Sequence, residues 1–98
     1  MFSVLTHPPV GRIPSGTEQQ AYDALLRSER HHDVQNTVRA IVLYEWLAVA
    51  FQDEARLQNN LGTAYSDLPG GDRQANLERA IACYEAAIII FKLARVDY

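Results

Sequence analysis

The sequence holds a single cysteine, and Cys83 alone cannot close an internal disulfide, so a reducing, cytoplasmic setting fits it best. No cluster of Lys and Arg occurs. The nine basic and twelve acidic residues lie in mixed order and leave a formal charge of −3, which argues against nucleic acid and anionic membrane as partners. Long apolar runs are missing as well: "AIIIF" (87–91) is far short of the roughly 20 residues that span a bilayer. No charged segment leads into the apolar core of a secretory signal. Glycine-rich phosphate loops, nucleophile elbows and dinucleotide fingerprints are absent, which leaves an enzyme little to work with. Beyond residue 16 the one proline is Pro69.

What is present is ordinary globular composition, 48% hydrophobic and 21% charged, over 98 residues, one domain's length. Residues 1–16 carry three prolines and two glycines in their last ten positions and read as a flexible or extended arm. Residues 17–98 read as an all-α domain. Apolar residues at three- and four-residue spacing predict four helices, over 17–30, 34–52, 54–68 and 73–94, with Thr17, Asp33, Asp53 and Asp72 near their starts as N-caps.

An internal repeat orders these helices. "NTVRAIVLYEWLAVAF" (36–51) and "NLERAIACYEAAIIIF" (76–91) share Asn, Arg, Ala, Ile, Tyr, Glu and Phe at a constant offset of 40 residues. Such a period marks stacked helical units that bury their apolar faces on their neighbours. "LGTAY" followed by "AIACYEAA" resembles the tetratricopeptide repeat, through Leu61, Gly62 and Tyr65 on one helix and Ala80, Tyr84 and Ala87 on the next. The 40-residue length and the "GDR…NLE" stretch are similar to long-repeat bacterial arrays of that family. The earlier unit keeps Ala40 and Tyr44 but has Ala21, Tyr22 and Leu25 where the later one has Leu61, Gly62 and Tyr65, as a degenerate first repeat does. The resemblance implies a short solenoid of two antiparallel helix hairpins. Gly62 and Ala80 would be small to let the helices approach. Long-repeat arrays of this type also accompany signalling modules, so the resemblance further implies a place in a larger signalling protein.

The resemblance also implies a concave, peptide-binding surface on the first helix of each unit. Carried over by position, it holds Gln19, Gln20, Asp23 and Arg27, then Arg56, Asn59, Asn60, Thr63 and Asp67. Asparagine can hydrogen-bond a peptide backbone, and Arg56 can grip a carboxylate bidentately. The lysines of a terminal-carboxylate clamp are missing.

At 100° per residue the last helix is apolar on two sides. One stripe is Leu77, Ile81, Tyr84, Ile88 and Phe91; the other is Ala82, Ala86, Ile89, Ile90 and Leu93. The equivalent earlier helix has Ile41, Tyr44, Ala48 and Phe51 on one stripe and Val42, Trp46, Val49 and Ala50 on the other, and the third helix is expected to pack on that second stripe. The last helix has no successor, so its second stripe is expected to meet a further repeat or a second copy, as a homodimer or a domain-swapped oligomer.

No metal or cofactor is expected. His31, His32 and Asp33 are adjacent and point apart on a helix, and His7 has no partner that sequence identifies. Cys83, among apolar neighbours, reads as an inert thiol, and Glu45 and Glu85 recur at the repeat period as a structural feature. The residues thus favour a non-catalytic module that binds a protein or peptide, with self-assembly as the alternative role.

Overall fold

Asp33 divides the first two helices by its chemistry: one carboxylate oxygen accepts the Gln35 N–H at 3.0 Å and the other accepts the Asn36 amide at 2.8 Å, capping a new helix. Just before it, His32 closes the preceding helix in the left-handed conformation, φ 51°, with its N–H on the Ser28 carbonyl at 2.8 Å. In a computed structural model, which describes residues 16–96, this link joins α1 (Thr17–His31) to α2 (Val34–Ala50). Two further helices follow, α3 (Ala55–Asp67) and α4 (Arg73–Val96), and there is no strand among the described residues. All of the predicted arm except Gly16 lies outside the described residues. No helix among them is long and apolar enough to cross a membrane.

Two of the expected caps differ. Thr17 is already helical, and the cap position is taken by Gly16, which makes no side-chain cap bond. Glu54, not Asp53, precedes α3, and its carboxylate turns to Arg56 instead of the helix end. Asp72 does cap α4, accepting the Ala75 N–H at 3.1 Å. Gly70 and Gly71 make the preceding turn with φ of 76° and 62°, values that cost an L side chain roughly 1–2 kcal/mol.

α1 and α2 pack as one hairpin, α3 and α4 as another, and α3 lies against α2 with a lighter contact to α1. The backbone of α4 approaches that of α3 alone. The core runs through Ala21 and Leu25 of α1, Ala40, Tyr44 and Leu47 of α2, and Leu57, Leu61 and Ala64 of α3. A hydroxyl bond between Ser28 and Thr37 ties the first hairpin.

The second hairpin closes on small residues. A Cβ on Gly62 would stand 2.9 Å from Tyr84 Cε1 and 3.1 Å from the Ala80 carbonyl oxygen, so the two helices sit closer than any side chain at 62 permits. Ala80 and Ala87 of α4 are buried here, while Tyr84 is half-buried with its hydroxyl 3.0 Å from Thr63 Oγ1. Tyr65 spans to the other hairpin, donating to Glu45 of α2, and the Arg79 guanidinium lies 5.8 Å from its ring centre. Burial, followed by the neighbouring Glu45, pushes the Tyr65 hydroxyl up to about 12.

Candidate functional site

The polar residues expected to line a groove fall into two groups. Gln19, Gln20, Asp23 and Arg27 are exposed along α1, with the Gln19 amide donating to Asp23 at 2.9 Å. Gln20, Asp23 and Arg27 join Asn36 and Arg39 of α2 around an open polar cleft of about 360 Å³. That cleft lies between the two helices of the first hairpin, whereas a groove shared by the first helices of both units would lie between α1 and α3.

Of the five α3 residues, Arg56, Asn60 and Thr63 are engaged within the chain rather than turned to an open groove. Asn60 is fully buried, its amide donating to the Tyr44 hydroxyl at 3.0 Å, and burial in turn pushes the Tyr44 pKa up. Thr63 is buried and donates to the Asn59 carbonyl at 3.1 Å. Arg56 does hold a carboxylate on two nitrogens, but the carboxylate is that of Glu18: Nε to Oε2 at 2.7 Å and Nη2 to Oε1 at 3.0 Å, with Nη1 on Glu54. The Glu18 bond is the leading reason its guanidinium holds its proton more tightly than usual. The physical cause is position, since α3 is covered by α2 on one side and α4 on another and is touched by α1. Asn59 and Asp67 remain half-buried. Burial, then the nearby Glu29 carboxylate, raises the Asp67 carboxyl to about 6, and its Oδ2 atom has no hydrogen-bond partner.

The apolar faces carry the larger correction. The covered stripe of α2 is the first, not the second: Ile41, Tyr44 and Ala48 are buried, with α3 reaching α2 through Asn60 on Tyr44 and Tyr65 on Glu45, while Val42, Trp46, Val49 and Ala50 are exposed. Val34, Val38, Val42, Trp46 and Val49 thus form one uninterrupted apolar line along the outside of α2, with Trp46 61% exposed. Periodicity could not have chosen between the two stripes, because α2 is apolar nearly all round. The signal available was the unbroken ladder of four- and three-residue steps from Val34 to Val49.

The 40-residue offset then transfers this result to α4. Ile41 is 8% exposed and its counterpart Ile81 57%; Ala48 is 7% exposed and its counterpart Ile88 54%. The face of α4 that matches the covered stripe of α2 is therefore Leu77, Ile81, Tyr84, Ile88 and Phe91, and Leu77 and Phe91 are exposed as well. Of the stripe expected to be uncovered, Ala82, Ile89 and Leu93 are exposed, while Ala86 and Ile90 are half-buried toward α3. Phe91 is exposed where Phe51 is half-buried, and α4 continues through Phe91 whereas α2 stops before Phe51.

Among the described residues no group of three or more His, Cys, Asp or Glu side chains converges on a metal-sized point. Cys83 is half-buried, and burial, followed by the Glu45 charge, pushes its thiol up, away from the thiolate that nucleophilic chemistry needs. Compared with known proteins, the chain matches no family model, no curated protein and no solved structure.

Proposed function

We propose that this chain is a non-catalytic protein–protein interaction module, built as a short tetratricopeptide-like helical repeat, whose working surface is the outer line of α2. The observation that carries the proposal is the exposed series Val34, Val38, Val42, Trp46 and Val49. Covering a large aliphatic or aromatic side chain is worth roughly 1.5–3 kcal/mol, so a helix-long apolar line in water leaves considerable stabilisation for a partner to supply. A large aromatic at such a place suits the energetic centre of an interface. The partner is a protein presenting a complementary apolar helix or groove. The repeat reading is supported by the 40-residue identity, by Gly62 closing on Tyr84 and Ala80, and by α3 packing on α2, α4 and α1. The lone cysteine and the absence of a membrane-spanning helix among the described residues suit a cytoplasmic setting.

The test is native capture with tagged wild-type protein beside Trp46→Glu. The Trp46 ring is mostly in water, so the substitution leaves the fold intact, which far-UV circular dichroism checks. A stoichiometric partner held by wild type and lost by Trp46→Glu supports the proposal. The same partner held equally by both, or no partner held by wild type, speaks against it.

A further inference from the structure

α4 presents a second apolar face, and its pattern reads nearly the same in both chain directions, to within one residue. Leu77, Ile81, Ile88 and Phe91 sum in pairs to nearly one value, so Ile81 mirrors Ile88 and Leu77 mirrors Phe91 about a point between Tyr84 and Glu85. Beside this face, on one flank of the helix, stand exposed Glu78 and Lys92, which mirror each other about the same point within one residue. Two helices related by a dyad perpendicular to their axes run antiparallel and bring the same flank of each together. A charge pair of opposite sign at mirrored positions on one flank is then matched twice, while Glu85, exposed on the same flank at the dyad itself, meets its own copy.

We propose that α4 pairs with the α4 of a second copy of this chain, antiparallel, about a dyad at Tyr84–Glu85. Ile81 packs at the level of the partner's Ile88, Leu77 at that of the partner's Phe91, and Glu78 reaches the partner's Lys92. The proposal rests on the reading of the chain as an interaction module and deepens it. Three observations select the second copy. The face is the repeat counterpart of one that is already covered within the chain, since Ile41, Tyr44 and Ala48 of α2 are buried and Tyr44 meets Asn60 of α3. Its four large side chains expose on the order of 400 Å², about half of what each partner buries in a standard interface, with the polar flank available for the remainder. The outer line of α2, by contrast, has Arg39 and Glu45 on opposite flanks, where an antiparallel dyad cannot bring them together.

Sedimentation equilibrium on the full chain tests this, with wild type beside Ile88→Glu, Lys92→Glu and the double variant Glu78→Lys/Lys92→Glu. All three altered side chains are exposed, so circular dichroism is expected to show unchanged helix content. Wild type is expected to be a dimer at micromolar concentration, and Ile88→Glu to weaken it by 100-fold or more. Lys92→Glu is expected to weaken it by about tenfold, and the double variant to return to within about threefold of wild type. A wild type that remains monomeric at about 100 μM overturns the proposal and assigns the face to a different protein or to a further helix. A dimer indifferent to Ile88→Glu, or a double variant no better than Lys92→Glu alone, overturns it too. Partner capture through Trp46 fails or succeeds separately, because that residue lies on α2.

Discussion

Gly62 lies against the Cδ1–Cε1 side of the Tyr84 ring, with 2.9 Å between Cε1 and the place a Cβ would occupy. Gly62→Ala gains up to about 1 kcal/mol of helix propensity and loses roughly 1–3 kcal/mol to the displaced ring and the Ala80 carbonyl. Net destabilisation is expected in urea unfolding. An equal or higher midpoint would show that α3 and α4 are not this close.

The Glu18–Arg56–Glu54 cluster joins α1 to α3 and is largely shielded from water. Removing one member strands the others, so Arg56→Met should cost about 3 kcal/mol, whereas the double change Glu18→Met/Arg56→Met should cost less than the two single changes added together. A double-mutant cycle measures the coupling. Simple additivity would mean the pair is solvated.

Asp67 supplies a pH dependence of unusual sign. Its carboxyl is raised to about 6 when folded, against about 4 for a free aspartate, so the folded chain binds the proton more tightly than the unfolded one. Its contribution to stability is therefore greatest near and below pH 4, declines as pH rises to about 6 and is lost above that. Asp67→Asn should flatten this part of the melting-temperature profile and raise the melting temperature at pH 7. A profile identical to wild type would contradict the burial beside Glu29.

Capping distinguishes two aspartates that look alike in sequence. Asp33 accepts from both Gln35 and Asn36, so Asp33→Ala should cost about 1 kcal/mol. Asp53 lies one residue before the cap position of α3, so Asp53→Ala should stay within about 0.5 kcal/mol of wild type by thermal unfolding.

The four helices were legible because spacing, the His32–Asp33 link and the "LPGG" turn all point the same way, and each boundary falls within a few residues of expectation. Gly62 was legible through its cost: a glycine inside a helix pattern signals close approach. Arg56, Asn60 and Thr63 misled because their polarity says nothing about which helix stands opposite them, and Glu18, the unforeseen partner of Arg56, lies 38 residues from it in sequence. The two faces of α2 were indistinguishable by hydropathy. Only the burial of Ile41 and Ala48 in the packed fold shows that the valine and Trp46 line faces outward.

Trp46 is the chain's single tryptophan, so its emission reports on the outer line of α2 without any label. Acrylamide quenching of that emission, in the isolated protein and again with the captured partner bound, tests the interaction-module account most directly. The account predicts a solvated, readily quenched indole in the isolated protein, dimeric or not, and a blue-shifted, protected one in the complex. An indole already protected in the isolated protein, or one left unchanged by the partner, would contradict it.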